Sequence, residues 1–196
     1  YQARGDYQLI IEYAEEAGEG LLRQQFETLK KKLDAEGLFD PSKKKALPHI
    51  PTNIGLITSS SGAAIQDIFN TINRRYNDCN LIVYPTLVQG QSATQQICNA
   101  IRIANDRMDC SVLIIARGGG SLEDLWCFNE ESVAREIYNS SLPIISGIGH
   151  ETDLTIADMV SDYRAPTPTG AAEIVLPEKQ DIVDDLKDLT KQMYQS

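Results

Sequence analysis

The residues best suited to chemistry lie in two short stretches, Arg117-Gly118-Gly119-Gly120-Ser121 and Gly149-His150-Glu151-Thr152-Asp153. An imidazole acts as acid or base near neutral pH, and a carboxylate against one ring nitrogen fixes its tautomer and frees the other nitrogen. Asp153, three residues after His150, is well placed to be that carboxylate if a helix begins here. The rival reading makes Thr152 or Asp153 a helix N-cap and His150 a satisfied buried histidine. In the other stretch three residues lack a Cβ, so the backbone can approach a ligand closely and offer a run of N–H donors. Arg117 adds a planar fork suited to phosphate oxygens, unless a local acid such as Glu123 or Asp124 takes it. A proton shuttle beside an anion cradle is what displacement at a phosphate requires.

A second tier of candidates carries weaker signals. Ser59, Ser60 and Gly62 belong to a polar loop, Thr58 to Gly62. Asp67 lies one helical turn past Gly62, and the residues alone favour a first-turn acid stabilised by the helix dipole. Glu151, Asp158, Asp162 and Arg164 are weaker still, and Arg164-Ala165-Pro166-Thr167-Pro168-Thr169 reads as a stiff turn able to clamp a loop or a strand of nucleic acid. The chain has two histidines, His49 and His150, and its four cysteines (Cys79, Cys98, Cys110, Cys127) are scattered without a C-x-x-C. A Cys/His metal cage is therefore not expected, and the thiols should be free, as in a reducing cytoplasm.

The elements that must position these groups follow a regular rhythm. Continuous apolar runs at 54–58, 81–85, 111–116 and 142–146 alternate with helical patterns at 63–75, 92–105 and 130–138. The fold expected is α/β, a three-layer Rossmann-like parallel sheet with flanking helices. In such a sheet ligands bind beyond the carboxyl ends of the strands, and the Thr58, Arg117 and Gly149 loops all fall there. Residues 7–13 read as a lone strand, 16–36 as a helix stopped by Gly37, and 40–51 as a linker with three prolines and a lysine run. The segment after Glu178 reads as the stub of a longer helix. The start, with neither Met nor a basic-then-apolar leader, is taken to continue a longer chain.

Apolar residues at 42% and charged residues at 23% fit a soluble globular protein, without an apolar run long enough to cross a bilayer. A net charge of −10 argues by itself against a polyanion partner. The positive charge is clustered, however, at Lys30-Lys31-Lys32, Lys43-Lys44-Lys45 and Arg74-Arg75. A solvated face is the simpler account of those clusters.

Several of these motifs together closely resemble the exodeoxyribonuclease VII large-subunit family. They are Thr58-Ser59-Ser60-Ser61-Gly62-Ala63-Ala64 with Asp67, Tyr84-Pro85 with Val88-Gln89-Gly90, Arg117 to Trp126, Gly149 to Asp153, and Arg164 to Thr169. The resemblance implies a processive exonuclease acting on single-stranded DNA from either end and releasing short 5′-phosphorylated oligonucleotides. It implies Asp67, Arg117, His150 and Asp153 as catalytic residues, raising Asp67 above its helix-cap reading. Ser59, Ser60, Gly62, Gly118, Gly119, Gly120, Ser121 and Arg164 would then contact substrate. No cofactor would be required, with Mg²⁺ at most a stimulant. The partners implied are single-stranded DNA and exonuclease VII small subunits, in the cytoplasm and away from membranes. Residues 1–14 would be the last strand of an oligonucleotide-binding domain, 15–51 a helix and linker, 52–177 the catalytic domain, and 178–196 the start of a helical region that gathers small subunits. Two alternatives remain: a domain binding a nucleotide or sugar phosphate, and a non-catalytic scaffold.

Overall fold

The computed structural model describes residues 19–76 and 78–176, with isolated positions at 187, 190, 191 and 193. The strand expected over 7–13 lies outside the described residues, as does the C-terminal stub apart from those four positions.

Five strands form one sheet: β1 (Asn53–Thr58), β2 (Asn80–Pro85), β3 (Val112–Arg117), β4 (Ile144–Ile148) and β5 (Tyr163–Ala165). Their order is β2-β1-β3-β4-β5, and every pairing is parallel. Side chains alternate across a strand, and here both sets are apolar. Ile54, Leu56, Val112, Ile114, Ala116 and Ile145 pack on one face with α2 (Ala63–Arg75) and α7 (Pro168–Val175). Ile57, Leu113, Ile115, Ile144 and Ile148 pack on the other with α1 (Glu19–Ala35), α3 (Ala93–Arg107), α5 (Glu131–Asn139) and α6 (Ile156–Val160). The three-layer α/β architecture is as expected, and the four cysteines are free.

The helices follow their apolar spacing. Ala64, Ile68, Thr71 and Ile72 are the buried face of α2, and Arg74 and Arg75 sit in its last turn, where positive charge complements the dipole. Beyond α1, Gly37 takes φ +79, a left-handed conformation that suits glycine, and Leu38 N–H donates to the Leu33 carbonyl at 3.0 Å. A short helix, α4 (Leu122–Leu125), follows β3 and begins with a capping box between Ser121 and Asp124.

Residues 40–51 join α1 to β1 and are anchored to the fold: the Lys44 ammonium donates to the Met159, Val160 and Ser161 carbonyls at 2.5–2.8 Å, closing the end of α6. Lys45 pairs with the nearly buried Asp162 at 3.2 Å, and Lys32 with Glu131 at 2.7 Å. Lys44 and Lys45 therefore serve the fold, whereas Lys31, Lys32 and Lys43 are exposed, as a solvated face would have them. The stiff turn expected at Arg164–Thr169 is instead an edge strand followed by a helix. Tyr163–Ala165 pairs with β4, and Thr167 then caps α7, with Pro168 in its first turn. Three residues are too few for a periodic signal, which hid β5.

Candidate active site

The strand order reverses between β1 and β3: the chain leaves β1 toward β2 on one side and returns to β3 on the other. Loops at such a point diverge to opposite faces and open a crevice above the carboxyl edge. The Ser59–Gly62 loop flanks that crevice on one side and the Gly118–Ser121 loop on the other. The Gly149–Asp153 loop lies beside the second, because Gly149 N–H donates to the Arg117 carbonyl at 3.0 Å and extends the β3–β4 ladder.

Alternation along β3 puts Arg117 on the same side as Leu113 and Ile115, beneath the loops rather than out in solvent. Its side chain is 7% exposed. One terminal nitrogen, Nη2, donates to Gln89 Oε1 at 3.0 Å and lies 3.6 Å from Asp124 Oδ2. The other, Nη1, is buried without a hydrogen-bond partner. A buried donor left unmatched is expensive, so this guanidinium keeps hydrogen-bonding capacity that the described residues do not use. The guanidinium lies against Gly120, where an added Cβ would fall 2.3 Å from Nη1. The Gly118, Gly119 and Gly120 N–H groups donate to no hydrogen bond among the described residues.

His150 does not open a helix. Residues 150–153 form a turn, in which Asp153 N–H donates to the His150 carbonyl at 3.0 Å, and the N-cap of α6 is Thr155. The preceding Gly149 has φ +69, which a side chain would strain. Asp153 Oδ2 accepts from His150 N–H at 2.9 Å and lies 3.4 Å from His150 Nδ1. The carboxylate thus sits beside one ring nitrogen, while the imidazole is 69% exposed. The ring packs against the glycine loop so closely that a Cβ on Gly119 would fall 1.8 Å from His150 Cε1.

Arg164 holds this turn from the neighbouring strand, its Nη2 donating to the Glu151 carbonyl at 3.0 Å and the Asp153 carbonyl at 3.4 Å. Beneath it, Asp158 is buried, with Oδ2 accepting from Thr155 N–H and Oγ1 at 2.8 Å. Burial pushes the Asp158 carboxyl above its ordinary range, against the opposing pull of Ser146, Thr155 and Arg164. Cys127, near Arg117, is likewise pushed up to about 11 by burial, which keeps it a thiol.

The structure therefore brings Arg117, Gly118, Gly119, Gly120, His150 and Asp153 together. Ser121 closes that loop as a helix cap. Ser59 and Ser60 stand at the N-terminus of α2 with hydroxyls that make no hydrogen bond among the described residues, and Gly62 is the N-cap position. Asp67 stands apart from the others. It is the fifth residue of α2, beyond the first turn, exposed, and its carboxylate has no hydrogen bond or ion pair among the described residues. Helix α2 covers the opposite face from the one Arg117 enters, so the two side chains can meet only over the sheet edge. Gln89 is the site residue that sequence reasoning gave no role. Its one local signal is the turn at Gly90, φ +84. Among the described residues no group of three or more His, Cys, Asp or Glu could hold a metal ion, and no helix is long and apolar enough to cross a membrane.

Residues 38–196 match the model of the family described as "Exonuclease VII, large subunit". The chain belongs to that family. Proteins named exodeoxyribonuclease 7 large subunit are 58% identical over 187 residues in Haemophilus influenzae, 60% over 177 in Legionella pneumophila and 61% over 175 in Photorhabdus laumondii. These alignments cover 95%, 90% and 89% of this chain, but 43%, 40% and 38% of the relatives. The chain thus spans about two fifths of the length of the exonuclease VII large subunits it matches.

Proposed function

We propose that this chain is the catalytic part of an exonuclease VII large subunit, hydrolysing phosphodiester bonds of single-stranded DNA from either end to short 5′-phosphorylated oligonucleotides. The observation that carries the reading is the convergence at one sheet edge of an exposed imidazole backed by a carboxylate, a buried guanidinium with an unmatched donor, and three uncommitted backbone N–H groups. Proton transfer and anion stabilisation are the two requirements of in-line attack on a phosphodiester, and this edge supplies both. The names of the relatives point the same way.

In this mechanism Arg117 and the glycine-loop N–H groups hold the non-bridging oxygens, and their positive potential grows in value as charge builds up in the transition state. His150 transfers a proton, either activating water or protonating the leaving 3′-oxygen, with Asp153 orienting the ring. Asp67 takes the complementary acid–base or water-positioning role, reaching the substrate from across the crevice. The reaction requires no divalent metal, although Mg²⁺ is allowed as a stimulant. The whole protein would work in the cytoplasm with exonuclease VII small subunits.

The test is cleavage of end-labelled single-stranded DNA in excess EDTA by a full-length large subunit carrying this chain, assembled with a small subunit. Short products from the parent, with at least a hundredfold loss in a folded His150→Ala variant, are expected. Cleavage that returns only with Mg²⁺ would overturn the metal-free mechanism. No cleavage under either condition would favour a phosphate-binding or scaffold role.

A further inference from the structure

Beside the glycine loop lies a cleft of about 480 Å³, bounded by α1, α4 and the segment after His150. It shares Gly120 and Asp153 with the candidate active site. Its walls are largely apolar: Phe26 from α1, Leu122 and Leu125 from α4, and Leu154, which is 46% exposed although it adjoins a catalytic turn. At its base Asn129 is 2% exposed, and its Oδ1 accepts from Ile156 N–H at 2.9 Å, so the amide NH₂ is the end available to a ligand. Arg23, Glu27 and Asp153 are its charged lining residues.

Resting on the nuclease reading above, we infer that this cleft is a nucleobase subsite, taking an unstacked base of the nucleotide next to the scissile phosphate. Its volume lies within the range of small-molecule clefts, roughly 300–1,000 Å³. The lining sets one cation, Arg23, against two carboxylates, so it offers a phosphate less than Arg117 and the glycine loop do. A flat, neutral base is what apolar walls with one aromatic ring and one buried amide accept. Gly120 is the shared boundary: with no Cβ it lets the Arg117 guanidinium lie at the edge of the cleft, next to the phosphate cradle. A paired and stacked base cannot enter without being extruded, so the subsite would give a single-strand preference without reading sequence.

The experiment uses the full-length large subunit carrying this chain, with its small subunit, on thymidine oligonucleotides and on base-less (tetrahydrofuran) chains of equal length. The parent should cleave the base-bearing chain with kcat/KM on the order of tenfold higher. Phe26→Ala and Leu154→Ser should each lose several-fold on the base-bearing chain and nothing further on the base-less one. Leu154→Ser keeps the test sound if Phe26→Ala weakens the fold, because Leu154 is exposed. Equal losses on both substrates, or no loss on either, would overturn the subsite. A parent that cleaves neither substrate would instead overturn the nuclease reading on which it rests.

Discussion

Gly119→Ala separates the positioning of the imidazole from the stability of the fold. The added Cβ would fall 1.8 Å from His150 Cε1 and 2.4 Å from Nδ1, where ordinary contact begins near 3.4 Å. The ring must therefore retreat by roughly 1.6 Å, a distance that dispersion and repulsion between close-packed atoms make unavoidable. It can do so at little cost, because it is 69% exposed and Gly119 does not have a positive φ. Folding should then be unchanged, or stabilised by up to about 1 kcal/mol through a less flexible unfolded chain. Catalysis should suffer, since a misplacement of about 1 Å at a reacting group costs on the order of 10²-fold. Retreat also pulls Nδ1 away from Asp153 Oδ2, now 3.4 Å distant. The assay pairs initial rates on single-stranded DNA with a thermal melt. Gly118→Ala, whose Cβ meets nothing within 4 Å, should lose far less. Wild-type rates from Gly119→Ala would refute the placement of His150 against the glycine loop as a catalytic arrangement.

Three further outcomes are expected. Arg117→Lys keeps the charge but cannot hold Gln89 and an anion through one planar fork, so cleavage should fall about 10- to 100-fold; rates equal to the parent would remove Arg117 from phosphate binding. Lys44→Met removes a cation bonded to three carbonyls at the end of α6 and should lower unfolding free energy by about 1–3 kcal/mol in urea, while the folded fraction keeps its activity. Asp158 has its folded pKa raised, so its stabilising contribution is full below the unfolded value and is lost as pH rises through the folded one. Urea midpoints at pH 7 and pH 4 should therefore shift in favour of the parent over Asp158→Asn on acidification; a constant difference would show that Asp158 does not titrate in this way.

Much of the fold was legible because local rules and tertiary packing agree here. Continuous apolar runs such as Val112–Ala116, of strand length and alternating with helices, fit strands buried on both faces, and the spacing of Ala64, Ile68 and Ile72 fits a helix covering such a sheet. The rim loops were legible too, since glycines after a buried strand have little other use. What failed was short or contextual. Three-residue β5 carries no period, and Lys44 looks like any surface lysine until α6 brings three carbonyls to it.

The sequence alone determined the chemical vocabulary of the site: Arg117 before three glycines, and His150 three residues from Asp153. Tertiary structure decided the grammar. Strand alternation sent Arg117 under the loops, where Gln89, from another crossover, could hold it and leave Nη1 unmatched. It placed the imidazole on Gly119, set Arg164 against the carbonyls of the His150 turn, and left Asp67 on the helix that covers the other face of the sheet. Each of these depends on which strands are neighbours and which face a side chain enters. Strand order is a property of the packed sheet, which minimises exposed apolar surface over the whole chain, and no single segment encodes it.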